Sequence, residues 1–337
     1  MRGKNKHPIA LPCHIGIDLL GSDIPPDELF EAILLFCKEL KPSVTLTLFG
    51  THELFGKTRV PAANVFFHPV TEVITMEDAP LAAIRRKKNS SLCIGMRLLK
   101  EGFLHAFVSA GNTGALMGCA RLQLRTLLHV ERPALLTLLP TRQKEVAVLD
   151  VGANASYKAK HLIQFAAMGV AYQRSRGVNI PIVGLLNIGS EAKKGTPELQ
   201  KVYNQLLVGS KKASSSYTFA GNIEGRNVFH GDIDVLVTDG FTGNVFLKTA
   251  EGIAGLILEE LEHSFESCSH SIQGILGELK HKLHYAEYSG ALLCGIDRIV
   301  IKCHGNASPQ SFIRSITMAS RLVQHSFIEQ VKNELAL

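Results

Sequence analysis

Val108-Ser109-Ala110-Gly111-Asn112-Thr113-Gly114-Ala115 is an apolar run that stops in a turn of small residues and restarts as a helical pattern at Leu116. A strand that ends in glycine and asparagine and feeds a helix is the repeating unit of α/β folds. Small residues let backbone come close to a ligand. The N–H groups at a helix start, with the Ser109 and Thr113 hydroxyls, form an anion cradle. A tight strand-to-helix turn that binds nothing has the same sequence, so the stretch alone leaves both readings open.

The pattern recurs along the chain. Strands are predicted at 15–20, 44–49, 65–67, 106–109, 134–139, 146–150, 182–187, 235–238 and 299–303, with helical patterns between many of them. Pro26-Asp27-Glu28 opens one such helix, with Phe30, Ile33, Leu34 and Cys37 at helical spacing. This alternation predicts a single α/β domain over residues 1–337, with a mostly parallel sheet flanked by helices. Ligands in such sheets bind outside the carboxyl ends of the strands, so the turns carry function. Residues 253–288 read differently, as two helices joined near Ser267–Ser271. Ile253, Leu256, Ile257, Leu261 and Phe265 follow helical spacing in the first, and Ile272, Ile275, Leu276, Leu279 and Leu283 in the second. This predicts a helical hairpin protruding from the sheet, with apolar surface for a dimer partner or for docking on a membrane; the two remain equal alternatives.

Composition bounds the function. The chain has 337 residues, 46% of them hydrophobic, enough for a large core. The formal net charge of +6 is mild and scattered, without the long basic stripe of a nucleic-acid binder, and no nucleic-acid partner is expected. A mild positive field suits an anionic substrate, an acidic protein or an anionic surface. The seven cysteines include no C-x-x-C pair, which fits a reducing cytosol and argues against a disulfide framework or zinc site. The start of the chain is basic and leads into a strand-like run, and no stretch reaches the ~18 apolar residues of a membrane span. The expected location is cytoplasmic, with any membrane contact from the surface.

Other strand-end turns add candidate groups. Asp18 and Asp23 flank the turn after the first strand. Asp150 and Asn154 stand in Asp150-Val151-Gly152-Ala153-Asn154, where Asp150 accepts a ligand hydroxyl, orients a neighbour or caps a helix. Asn187 ends a third strand, with Lys193 and Lys194 following. Asn222 and Glu224 lie in the polar turn Gly221–Arg226. Thr238-Asp239-Gly240-Phe241-Thr242-Gly243-Asn244 is a strand-turn-helix in which Asn244 is either an N-cap or a donor to an oxyanion, with Lys248 one turn on. His304 follows the last strand as a candidate acid or base, or as a structural histidine. What is missing matters as much. There is no G-x-G, no Walker A loop, no G-x-S-x-G elbow and no H-E-x-x-H helix. These absences count against nucleotide-dependent oxidoreductases of the usual kind, NTPases, serine hydrolases and zinc peptidases.

Taken in order, the motifs resemble the phosphate acyltransferase family (acyl-carrier-protein:phosphate transacylases) over nearly the whole chain. The resemblance runs from Ile17–Asp23 through Met76–Pro80, Arg85–Ser91, Ser109–Ala115, Arg132–Leu135, Asp150–Asn154 and Asn187–Gly195 to Phe219–Gly252. Ser22, Asn227 and Leu292 depart from the family's usual Gly, Asp and Pro. The resemblance implies a fold similar to the isopropylmalate-dehydrogenase and phosphotransacetylase group, a homodimer, and no cofactor or metal. It implies acyl-phosphate synthesis from a fatty acyl thioester on acyl carrier protein and inorganic phosphate, feeding phospholipid synthesis through a downstream membrane acyltransferase. On it, Lys194 and the Ser109, Gly111, Asn112, Thr113, Gly114 turn are expected to orient phosphate, and Asn244 to bind the oxyanion or phosphate. His304, Lys248 and Asp239 are reserves, and Asp18, Asp23, Asp150, Asn154, Asn187, Asn222 and Glu224 complete the substrate-binding set. Two other classes stay open: a dehydrogenase of the related fold using Asp18, Asp23, Asp150 and Asp239 around a metal, and a binding protein that senses phosphate without turnover.

Overall fold

A computed structural model describes residues 12–56, 63–265, 274, 277–279, 290–305 and 307–336. Its eleven strands are β1 Cys13–Asp18, β2 Val44–Gly50, β3 Val65–Pro69, β4 Ala106–Ser109, β5 Ala134–Pro140, β6 Glu145–Leu149, β7 Ile182–Leu186, β8 Thr218–Ile223, β9 Val235–Val237, β10 Ala291–Cys294 and β11 Ile299–Lys302. The described helices are α1 Pro26–Phe36, α2 His52–Phe55, α3 Pro80–Arg86, α4 Ser91–Glu101, α5 Thr113–Gln123, α6 Ala159–Ser175, α7 Pro197–Ser210, α8 Gly225–Val228, α9 Gly240–Phe265, α10 Pro309–Gln324 and α11 Phe327–Leu335.

The strands form one sheet in the order β3-β2-β1-β4-β11-β10-β5-β6-β9-β7-β8. Side chains alternate across it with period two. Ala106 and Val108 pack on one face and Phe107 on the other; Ala147 and Leu149 oppose Val146 and Val148 in the same way. Helices cover both faces, so both sets of alternating residues are apolar, and the strands read as unbroken hydrophobic runs.

Two strands escaped the sequence reading. β8 lies at the edge, is mostly only partly buried, and contains Gly221 at φ +92° and Asn222, so its sequence reads as a turn. β10 is four residues long and antiparallel to both neighbours. It changes the architecture. β3, β2, β1, β4 and β11 are parallel to one another, as are β6, β9, β7 and β8. Three antiparallel pairings, β11–β10, β10–β5 and β5–β6, join the groups, which therefore run in opposite directions.

The expected helix start near Asn244 is corrected: α9 begins at Gly240 and runs unbroken through the first arm of the predicted hairpin to Phe265. Most of the second arm lies outside the described residues. Along α9 only Gly240, Gly243, Leu247 and Leu258 are buried, while Phe241, Val245, Ile253, Leu256 and Ile257 are exposed. Among the described residues no helix is long and apolar enough to cross a membrane.

The Ser109–Ala115 turn is fastened from the side. The Asn112 side chain accepts the Ala115 N–H at 3.0 Å, capping α5, and its amide donates to the carbonyls of Thr75, Met76 and Asp78 at 3.1–3.2 Å. Helix α3, which follows that loop, lies along α5. A Cβ on Gly114 would sit 2.6 Å from Pro80 Cγ, and one on Gly118 2.7 Å from Ile84 Cδ1. Glycine at both positions is what lets the helices touch. Asn112→Ala removes the cap and the side-chain donor to three part-buried carbonyls, and is expected to destabilise the fold by about 1–3 kcal/mol. A urea midpoint equal to the parent's would contradict this role.

Candidate active site

The carboxyl ends of the two half-sheets meet over a cavity of about 260 Å³. From the first half come Asp23 after β1, Thr113 at the head of α5, and Lys302, Cys303, His304 and Gly305 at the end of β11. From the second come Val151 after β6 and Asn244, Leu247 and Lys248 on α9. Leu135, Thr137 and Ala291 from the antiparallel joint line its floor. Its groups include cations (Lys248, Lys302), neutral donors (Thr113, Thr137, Asn244) and apolar surface (Leu135, Val151, Leu247, Ala291), with one carboxylate (Asp23), one imidazole (His304) and one thiol (Cys303).

Several predicted residues converge here. Thr113 is the first residue of α5, and Asn112 caps the third helical N–H, so the Thr113 and Gly114 N–H groups have no acceptor within the helix. Asn244 sits one turn into α9; its amide donates one hydrogen bond to the Val151 carbonyl at 3.1 Å and keeps a second N–H. Lys248 pairs with Glu251 at 2.7 Å, and His304 Nε2 lies 3.6 Å from the other Glu251 oxygen. Asp23 is exposed at the rim, where its N–H donates to the Gly305 carbonyl at 3.0 Å.

Other predicted residues are held by their own chain. Asp18 is buried and accepts the Ser109 hydroxyl at 2.8 Å and the Leu20 N–H at 3.0 Å, tying the ends of β1 and β4. Ser109 Oγ in turn accepts the Gly111 N–H at 3.0 Å, so the middle of the turn is closed on itself. Burial pushes the Asp18 carboxyl above its ordinary range, against the pull of these donors and of Lys302. Asp150 accepts from the N–H groups of Leu135, Gly152, Ala153 and Asn154 and from the Asn154 amide, which also donates to the Pro133 carbonyl. Asp239 caps α9, accepting from Phe241 N–H, Thr242 N–H and the Thr242 hydroxyl. Asp18, Asp150 and Asp239 are therefore engaged by donors of their own chain, and among the described residues no group of three His, Cys, Asp or Glu side chains is arranged to hold a metal.

Lys194 stands on the loop after β7, half-exposed, 3.8 Å from Glu191 and outside the lining of the cavity. Its loop is pinned from below. The Asn187 amide donates to the Lys194 carbonyl and to Asn222 Oδ1, both at 3.1 Å, and the Asn222 amide donates to the Glu191 carbonyl at 2.8 Å. Asn187 and Asn222 thus position the lysine loop. Glu224 pairs with Arg226 at 3.2 Å, away from the cavity. Of the three departures, Leu292 is buried within β10, Ser22 donates to the Ile24 carbonyl, and Asn227 lies in α8.

Three residues of the site were passed over in the sequence. Lys302 is the last residue of β11 and is buried, its ammonium donating to the Ala110 carbonyl at 3.3 Å and to the Cys303 carbonyl. Burial lowers its pKa to about 8, only partly offset by Cys303, Asp23 and Asp18. A lysine closing an apolar strand is the signal that marks it, since lysine is seldom buried without a partner. Cys303 lines the same cavity, and burial raises its thiol to about 11, so it stays protonated and is a poor nucleophile at neutral pH. Glu251, mostly buried between Lys248 and His304, was read only as part of a helix motif.

The chain was compared with known proteins. The family model described as fatty acid synthesis protein matches residues 13–330. Phosphate acyltransferase of Caldanaerobacter subterraneus is 37% identical over 330 residues, covering 96% of this chain and 97% of the relative. Phosphate acyltransferase of Chlamydia abortus is 38% identical over 335 residues, covering 96% and 99%. Among solved structures, a phosphotransacetylase from Streptococcus pyogenes superposes with a TM-score of 0.62 over 92% of this chain and 94% of that one, at 13% identity, a likeness of fold. The chain belongs to the fatty acid synthesis protein family, among its phosphate acyltransferases, and is a transferase.

Proposed function

We propose that the chain transfers a fatty acyl group from acyl carrier protein to inorganic phosphate, and that the acyl-phosphate feeds phospholipid synthesis. The observation that carries this reading is the cavity itself, which gathers two lysines, two hydroxyls and an amide beside an apolar wall and holds a thiol in its protonated form. Phosphate supplies its own nucleophilic oxygen, so no covalent enzyme intermediate is needed. It sits against Thr113 and the first N–H groups of α5, with Lys302 and Lys248 balancing its charge. The acyl end lies along Leu135, Val151, Leu247 and Ala291. A phosphate oxygen attacks the thioester carbon, forming a C–O bond and a tetrahedral oxyanion, which the free N–H of Asn244 stabilises. The C–S bond then breaks, and the sulfur takes a proton from His304, which Glu251 orients. Lys194 approaches phosphate from the loop that Asn187 and Asn222 hold.

Loss of one oxyanion donor lowers turnover by roughly 10²–10³-fold, and this is the expected effect of Asn244→Ala. Lys194→Ala is expected to lower kcat/KM for phosphate by about tenfold or more. The assay follows phosphate-dependent release of the carrier thiol from palmitoyl-loaded acyl carrier protein. Near-normal synthesis by both variants would refute these roles, and carrier binding without turnover by the parent would leave a sensor or scaffold.

The pH dependence follows from Lys302. Its lowered pKa means that the cation is present below about pH 8 and lost as pH rises through that value. The kcat/KM for phosphate should therefore fall above about pH 8, and Lys302→Met should lower it throughout and remove that limb. A Met variant that keeps the same descending limb would assign it to another group.

The exposed stripe of Phe241, Val245, Ile253, Leu256 and Ile257 is proposed to meet a second copy of the chain or a membrane surface. Ile253→Asp with Leu256→Asp should yield monomers by light scattering if the stripe joins a homodimer. If it docks on membranes, the same change should abolish flotation with anionic liposomes. Unchanged mass together with unchanged flotation would sink both roles.

A further inference from the structure

Helices α3 and α5 form a surface that the chemistry of the cavity does not use. The contacts of Pro80 with Gly114, and of Ile84 and Leu81 with Gly118, show that the two helices run side by side and parallel. Continuing that register one turn brings Arg85 level with Leu122. The outer surface then carries Arg85, Arg86 and Lys88 from one helix and its C-terminal end, and Arg121 from the other, all exposed. Between them lie Leu81, 59% exposed, and Leu122, 66% exposed.

Two facts separate this face from an ordinary solvated one. None of the four cations has an ion-pair partner among the described residues, although most lysines and arginines that do pair find a carboxylate within a turn or across a short gap. The cause is in the sequence: from Ala79 to Asn89 and from Thr113 to Val130 there is no Asp or Glu. The two acids beside this segment are otherwise engaged: Asp78 is paired with Lys87 at 2.5 Å, and Glu72 accepts the Asn89 N–H at 2.7 Å. The face is also continuous with the cavity, because the helix that presents Arg121 and Leu122 begins at Thr113. From Leu122 back to Thr113 is nine helical residues, about 14 Å at 1.5 Å per residue.

We propose that the α3–α5 face is the docking surface for an acidic carrier protein, which delivers its acyl thioester into the cavity on a flexible arm of about that length. This rests on the carrier-dependent reaction proposed above. Arginine's planar fork suits carboxylates on the partner. The two leucines supply apolar contact within a charged rim, the usual layout of a transient interface. A net positive field also speeds the encounter with an anionic protein. A second copy of this chain does not fit, since like charges would face each other across a symmetric contact.

The test uses the full chain and the triple variant Arg85→Glu/Arg86→Glu/Arg121→Glu, with the corresponding Gln variant as a milder control for folding. Dye-labelled, palmitoyl-loaded acyl carrier protein is titrated at low salt and followed by anisotropy. The Glu variant should bind at least about tenfold more weakly and the Gln variant less so, with the parent's affinity falling as salt rises. The kcat/KM for the carrier-borne thioester should fall in parallel, while that for palmitoyl-pantetheine should stay within about twofold of the parent. Equal binding by parent and Glu variant overturns the proposal, as does an equal loss with both thioesters. Loss of binding to phosphatidylglycerol vesicles with carrier binding intact would make the face a membrane contact instead, and also overturns it. If the parent binds carrier but makes no acyl-phosphate from either donor, the proposed reaction fails, and the docking face is judged by the titration alone.

Discussion

The site depends on a reversal in the middle of the sheet. Two groups of parallel strands run in opposite directions, joined through β10 and β5. In a flat sheet their carboxyl ends would lie on opposite edges. Sheets twist by about 20–25° per strand, so the five steps from β4 to β9 turn the chain direction through about 100–125°. Reversal and twist together swing both sets of carboxyl ends toward one cavity, where Thr113 of one half faces Asn244 of the other. Neither half alone would place a cation, a helix head and an amide donor around one small volume.

Holding that arrangement requires loops of fixed shape, and the chain achieves this with buried amides and carboxylates. Asn112 anchors the loop before α3, Asp150 and Asn154 set the turn after β6, and Asn187 with Asn222 set the loop carrying Lys194. Each is buried, with hydrogen bonds to backbone or to another member of the set. A buried polar group without partners is costly, so such networks are either complete or destabilising. The division of labour is clear: residues buried at the turns give shape, and those left exposed at the cavity wall, Thr113, Asn244, Lys248 and His304, are available to a ligand.

The same division explains the electrostatics. Lys302 is the exception, a cation buried at the end of a strand and held by carbonyls, with Asp18 and Asp23 nearby. A fixed charge at the base of the cavity needs little reorganisation when an anion arrives, which is the condition under which electrostatic stabilisation is largest. Beside it, Cys303 shows the opposite effect of burial, which keeps a thiol neutral. Both shifts arise because low polarity penalises the charged form of either group.

Much of the fold was legible in the sequence because its signals are local. Alternation of apolar residues, proline at the start of α1 and small residues at strand ends marked nine of the eleven strands and the turns between them. β8 and β10 were not legible: one is a partly buried edge strand that looks like a turn, and the other is too short to show a period. For the site, the sequence determined which turns carry polar groups, and its missing motifs counted against several chemistries. It did not separate Asn112, Asp150 and Asp239, which cap and fasten, from Thr113 and Asn244, which face the cavity, because the same residue types serve both ends. Burial of Lys302 and its place at the cavity base, and the meeting of Glu251 with His304 across distant segments, follow from strand order and sheet twist. Only the tertiary structure decided those, because they depend on which strands are neighbours, and no local pattern encodes that.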